Sequence, residues 1–350
     1  TIKIIKMAAL DSERLPLKVA VIINQTDDSG GKSCVEISGN KVKIGRPGSA
    51  AALKSYGPFS GVSDSARSLF DAPPVSVAEE VEAALREGVS FGLFSFGGPG
   101  QGKTTALWGS PAGLGPEEAL VPRFCAELFP ILERCKGTSK GATAVVAVSF
   151  LRISALGEMV NDCLVPDVPA SGLGLRLREQ LGNASLAEGE FFMEGQRRVV
   201  VANAAELSSV ALDGLEQAEL IDRSDAEFQR GARSHKLLTV TVMRRQQTEN
   251  GDDGHLLYNT KLHFLDTAGV ERASAATKTA SKAFGGKTPQ QRKADMLKNK
   301  QAPKEDATCK ALIRVLDSCA DEKLAHVPYR DSKLTRLLMP CLGGRGRGVV

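Results

Sequence analysis

Eight residues from Gly97 to Thr104 combine four glycines, a lysine and a hydroxyl at the spacing G-x-x-x-x-G-K-T. These types suit a phosphate chain. Backbone N–H groups across Gly97, Gly98, Gly100, Gln101 and Gly102 can wrap around phosphate oxygens. Lys103 would meet the β- and γ-phosphates, and the Thr104 hydroxyl is a ligand for Mg²⁺. Pro99 withdraws one N–H donor from the loop. The apolar run Phe91–Phe96 leads directly into it, and the stretch from Thr104 reads as a helix with its positive end toward the phosphates. Far along the chain, Leu262–Leu265 is an apolar run ending in Asp266, followed by Thr267-Ala268-Gly269. An aspartate there can hold metal-bound water, and the N–H of Gly269 can sense a γ-phosphate.

Strands and helices must bring these side chains together. Residues 17–23 are β-branched and bounded by turn formers, which predicts a buried strand, and short alternating stretches at 35–37 and 42–44 predict a hairpin. Apolar spacing predicts a helix over 77–86. A strand at 91–96 follows, then a helix after Val121, a long strand over 142–153, and strands at 173–178 and 198–201. A helix over 206–220, strands at 237–244 and 256–265, and a helix over 308–319 complete the pattern. The alternation indicates an α/β fold: a mostly β-core mixed sheet with helices on both faces.

Composition narrows the classes. The 350 residues are 42% hydrophobic and 25% charged, as in soluble globular proteins, and the length suits one large α/β domain or two smaller ones. No apolar run approaches the roughly 18 residues a membrane helix needs, and a signal peptide's pattern is missing at the start, so no membrane partner is expected. A net charge of +4 is too mild to indicate nucleic acid. The 7 Cys lack a Cys-x-x-Cys pair and the 4 His are not at ligand spacing, which argues against a zinc site or a disulfide framework. Residues 273–304 stand apart, with eight Lys or Arg against Asp295 alone. That composition reads as a long solvated loop able to meet an acidic surface. The start at Thr1 and the glycine-rich ending at Val350 suggest part of a longer protein.

With these residues in place, the chain resembles the kinesin motor domains. The densest match is His326-Val-Pro-Tyr-Arg-Asp-Ser-Lys-Leu-Thr-Arg-Leu-Leu338, followed by Leu342-Gly343-Gly344, which is nearly identical to the loop and helix that lie on the microtubule in that family. Asp266–Arg272 resembles the second switch, Asp-Leu-Ala-Gly-Ser-Glu-Arg, and Arg233-Ser234-His235 resembles the end of the first switch. Weaker matches at Phe94–Gly109, Val148–Ile153 and Val199–Leu207 fall in the family's order, so the likeness spans roughly Val19 to Gly344.

The resemblance implies one kinesin-type phosphate-loop NTPase domain over residues 1–350, C-terminally incomplete, with a basic insertion at about 273–304. It implies ATP or ADP with Mg²⁺ as cofactors, the phosphate loop and Ser234 at the nucleotide, and Thr104 and Asp266 (through water) at the metal. Arg233 and Glu271 would close the two switches, with Gly269 at the γ-phosphate. Microtubules (tubulin) would be met by Lys278, Lys282, Lys287, Arg292, Lys293, Lys323, Arg330, Lys333 and Arg336, in the cytoplasm on the cytoskeleton. Oligomers or cargo would engage regions outside this chain.

Two departures matter. The family's paired switch serines are Gly231 and Ala232 here, and neither carries a hydroxyl to position Mg²⁺ or the attacking water. Hydrolysis is therefore expected to be strongly slowed. The Arg-x-Arg-Pro that follows the first strand is replaced by sequence around Val21–Gln25, which weakens the expectation of base recognition. Two readings follow: a motor that hydrolyses ATP to move, or a non-motile module that grips microtubules with little or no turnover.

Overall fold

A computed structural model describes residues 17–23, 35–45, 53–98, 100–109, 118–136, 143–155, 159–165, 174–180, 190–225, 233–247, 255–269, 307–319, 326–342 and 346–350. Its framework is a seven-stranded mixed sheet. The strands are β6 (Phe91–Ser95), β7 (Thr143–Ser154), β8 (Val160–Asp162), β11 (Val199–Val201), β12 (Ser234–Gln247), β13 (His255–Asp266) and β14 (Arg347–Val349). Their order is β11-β7-β12-β13-β6-β14, with β8 on β7. Long antiparallel ladders join β7, β12 and β13, whereas β6 runs parallel to both β13 and β14.

Period-two alternation sorts the side chains onto two faces. Val148 and Phe150 of β7, Leu238, Val240 and Val242 of β12, and Leu262 and Phe264 of β13 enter the larger core. There they meet α2 (Val77–Glu87), α4 (Leu120–Lys136) and α5 (Ala204–Ser224). On the opposite face Leu151, Leu237, Leu265 and Phe94 pack with Leu312, Val315 and Leu316 of α6 (Ala307–Cys319) and Leu334 of α7 (Lys333–Leu337). Helices on both faces of a mixed sheet are what the alternation implied. Between β6 and α4 lies the short α3 (Lys103–Trp108), whose Trp108 packs 5.7 Å from the ring of Phe150.

Several elements depart from their sequence expectation. The 17–23 run is a strand only at β1 (Ala20–Ile22), half-buried and parallel to β5 (Gly61–Ser63) outside the central sheet; Lys18 bridges to Val349. The hairpin β2 (Val35–Ser38) and β3 (Lys41–Ile44) gains β4 (Lys54–Tyr56). The strand expected at 173–178 is displaced to β9 (Leu177–Gln180), where it pairs with β10 (Glu190–Met193). Strands β4, β5, β8 and β10 and the helix α1 (Ala66–Asp71) are too short for periodicity to register. Conversely α5, β12 and β13 outrun their apolar stretches. Asn203 caps α5 through a bond to Glu206 N, and ladder pairing carries the polar strand ends.

Mid-helix, Gly214 lets α5 lie on β7, because a Cβ there would stand 2.6 Å from the Phe150 ring. Gly-to-Ala in a helix ordinarily gains about 1 kcal/mol. Here overpacking wins, so Gly214→Ala should destabilise by roughly 1–3 kcal/mol in urea titration.

On the second face, a polar row, Ser149–Thr239–His263, crosses the sheet behind the apolar one. His263 is buried, its Nδ1 2.9 Å from Thr239 Oγ1. Burial, with a smaller push from Lys261, lowers its pKa from 6.5 to about 3. The fold thus favours the neutral ring. That contribution is complete above pH 6.5 and is lost as pH falls from there toward 3, at about 1.4 kcal/mol per pH unit. The stability difference between wild type and His263→Asn should shrink with that slope over this interval; parallel stability–pH curves would refute it.

Candidate nucleotide site and cationic face

The parallel register of β6 and β13 sets Asp266 opposite Ser95 at the strand ends. The phosphate loop leaves β6 at that point and returns as α3. Gly100 (φ 70°) and Gly102 (φ 77°) take left-handed backbone that other residues adopt only with strain, and Gly102 caps α3 without a side chain. Thr104 Oγ1 donates to Asp266 Oδ2 at 2.6 Å, and Ser95 Oγ donates to Oδ1 at 3.2 Å. Thr267 locks the joint, its hydroxyl donating to Ser95 O at 2.5 Å. Lys103 folds back so that Nζ donates to Gly98 O at 2.7 Å. Burial lowers the Lys103 pKa, opposed by the charge of Asp266 and by Cys309. A buried carboxylate beside two hydroxyls is a hard-oxygen set that suits Mg²⁺. The glycine-lined loop leaves its N–H groups free of Cβ obstruction, with open space beside Gly100. These residues fit a magnesium nucleotide.

The neighbouring expected residues fall into place unevenly. Ala268 N donates to Nδ1 of the buried His235 at 3.1 Å, which ties the end of β13 to the start of β12; Gly269 follows, half-buried. Arg233 is exposed, and its carbonyl accepts from Ala155 N at 3.0 Å. Ser234 donates to Asp222 Oδ2 at 2.8 Å. Pro99, Gly231, Ala232 and Glu271 lie outside the described residues. Ser95, His235 as a switch-to-switch link, and Cys309, whose Sγ donates to Ala268 O at 3.2 Å, were missed from sequence. Strand register brings Ser95 and His235 to Asp266, and α6 brings Cys309 to Ala268; neither is written in a local motif.

A second feature lies on the α6 and α7 side. Tyr329–Asp331 forms a 3-10 turn, and Ser332 starts α7 through a capping box with Thr335. Arg330 projects into solvent with its side chain 73% exposed and reaches Glu179 at 3.2 Å. Arg336 donates from Nε and Nη2 to Arg330 O at 3.2 and 2.7 Å and lies over the Phe191 ring, so part of its role is structural. Lys333 is half-exposed. Sequence reasoning passed over Lys310 and Arg314, exposed on α6 at helical i, i+4 spacing beside this turn; Arg314 pairs with Asp331 at 3.1 Å. The spacing alone would have found them. Tyr329 and Leu337 pack against the second core and Leu338 is fully buried. Lys278, Lys282, Lys287, Arg292, Lys293 and Lys323 lie outside the described residues.

A family profile described as the kinesin motor domain matches residues 58–350. The chain belongs to the kinesin motor domain family. Among its relatives, the kinesin-like protein KIN-5C of Nicotiana tabacum is 30% identical over 295 residues, covering 81% of this chain and 26% of that protein. The kinesin-like protein KIN-5C of Oryza sativa subsp. japonica is 29% identical over 80% of this chain and 25% of its own length. The kinesin-like protein KIN-7C, mitochondrial, of Arabidopsis thaliana is 29% identical over 77% of this chain and 26% of its own length. The chain therefore spans about a quarter of the length of these relatives.

The Thr104–Asp266 bond carries a prediction of its own. Thr104→Val keeps the shape and removes the donor, and should cost the nucleotide-free protein about 1 kcal/mol. Thr104→Ser should restore most of it. Equal melting temperatures for Thr104→Val and wild type would show that the bond contributes nothing.

Proposed function

We propose that this kinesin motor domain binds ATP and ADP with Mg²⁺ at the Gly97–Thr104 loop and grips microtubules through the α6–α7 side. The observation that carries the reading is the 2.6 Å bond from Thr104 to Asp266, which joins the loop's hydroxyl to a strand-end carboxylate suited to a metal. Bound Mg²⁺ would supply positive charge against the phosphates. The chain's own part is to hold and orient. The N–H groups of Gly97, Gly98, Gly100, Gln101 and Gly102, around Pro99, cradle the phosphates. Lys103 would leave Gly98 O to meet them, and Thr104, with Asp266 through water, would hold the metal. Gly269 offers an N–H toward the γ-phosphate, Arg233 pairs with Glu271 to close the switches, and Ser234 anchors the end of the first. Residues 1–350 are read as one domain with a basic insertion at about 273–304.

The microtubule contacts assigned are Arg330, Lys333 and Arg336, with Lys310 and Arg314 added, and Lys278, Lys282, Lys287, Arg292, Lys293 and Lys323 from the basic segments. Cations near an acidic polymer raise encounter rates and add salt-sensitive affinity within about 8 Å at physiological ionic strength. A cytoplasmic, cytoskeletal location follows from the same reading. Gly231 and Ala232 place no hydroxyl at the attacking water, so turnover is slow.

The test combines binding of a fluorescent ATP analogue, phosphate release with and without microtubules, and microtubule pelleting, with Lys103→Ala as the blank. Wild type should bind at least about tenfold tighter than Lys103→Ala, and release should rise above the blank with microtubules. Arg330→Glu combined with Lys333→Glu should weaken pelleting, most visibly at low salt. Binding no better than the blank would defeat the nucleotide assignment. Binding and pelleting with no release would leave a grip without an engine.

A further inference from the structure

Arg152 is 1% exposed and sits on the β7 face that otherwise feeds the larger apolar core. Each of its three guanidinium nitrogens donates a hydrogen bond. Nε donates to Asp222 Oδ1 at 2.7 Å, Nη2 to Asp225 Oδ2 at 2.6 Å, and Nη1 to Asn161 Oδ1 at 3.2 Å. Asp222 lies in the last turn of α5, Asp225 is the residue that ends it, and Asn161 belongs to β8. The other oxygen of Asp222 accepts from Ser234 Oγ at the first residue of β12. One cation therefore ties the end of α5 to the start of β12, the two roots of residues 226–232.

The tie continues toward the phosphate loop. His235, next to Ser234, accepts the Ala268 N–H, and Ala268 lies two residues beyond Asp266, which Thr104 contacts. Burying two carboxylates and a guanidinium is a poor way to gain stability, since apolar replacements of similar volume are often as good. What a planar five-donor fork supplies, and an apolar side chain does not, is a fixed angle and separation between two carboxylates.

We infer that Arg152 is a positioning residue for the nucleotide site. It clamps the end of α5 against the start of β12 and so sets where Arg233 and Ser234 stand relative to Lys103 and Thr104. The inference rests on the nucleotide-binding reading for its functional consequence, while the clamp itself is testable without nucleotide.

The experiment compares the full chain with Arg152→Lys, Arg152→Met, Ser234→Ala and the Arg152→Lys/Ser234→Ala pair. Hydrogen exchange without nucleotide is read first. Arg152→Lys should speed exchange at least about tenfold in the last turn of α5 and in Ser234–Leu238, with α6 and the Thr143–Ala147 end of β7 within about twofold of wild type. The pair should exchange no faster in these segments than Arg152→Lys alone, because both residues act through Asp222. Release of a fluorescent ADP analogue is read second, and should be at least about tenfold faster in Arg152→Lys than in wild type. Should Arg152→Met fail to fold, Arg152→Lys alone decides between the outcomes. Exchange raised evenly across the sheet would reduce Arg152 to a stabilising residue, and wild-type values in both readouts for Arg152→Lys would overturn the clamp outright. If wild type holds no ADP analogue, the nucleotide reading fails on its own and the exchange pattern alone decides the clamp.

Discussion

The site depends on the parallel pairing of β6 with β13. Parallel strands cannot be joined by a tight turn, so a long connection, residues 96–254, runs between them. What lies between is most of the fold: α3, α4, β7, α5 and β12. Because the pairing ends with Ser95 opposite Asp266, the loop leaving one strand and the carboxylate ending the other open at the same edge. Crevices outside the carboxyl ends of strands in such sheets are where ligands bind. A slip of one residue would turn Asp266 to the opposite face and leave Thr104 without its acceptor.

The same edge explains how polar groups survive so deep in the molecule. Asp266 is 5% exposed yet accepts two hydroxyls. His235 is fully buried with Nδ1 holding a backbone N–H. Arg152 is surrounded by oxygen atoms. Each group is held by a partner from a different element. Low dielectric strengthens these contacts and makes a broken one costly, so they constrain how the elements can shift relative to one another. Packing on both sides of the sheet supplies bulk stability; the buried polar contacts fix register.

Much of this was legible in the sequence, and the reason differs by element. The phosphate loop could be read because its chemistry is local: glycines, lysine and hydroxyl must be adjacent to work. β7, β12 and β13 could be read because long apolar alternation has no other stable outcome. The helix at α7 followed from a contiguous motif. What escaped was contact between distant segments. Nothing near Ser95 says that it faces Asp266, and nothing near Arg152 says that it meets Asp222 and Asp225. The Ser234 hydroxyl is held by Asp222, a residue whose importance no local pattern reveals. Lys310 and Arg314 were readable from helical spacing but were overshadowed by the denser motif beside them.

Trp108 is the chain's sole tryptophan. Its indole is buried at the far end of the helix that opens with Lys103 and Thr104, and it packs against a phenylalanine of β7, two residues before Arg152. A shielded indole emits at short wavelength, and its brightness depends on the few atoms touching it. Any rotation of α3 against the sheet would alter those contacts without altering the surface. The protein thus carries its own optical gauge, seated between the phosphate loop and the strand that bears the buried guanidinium.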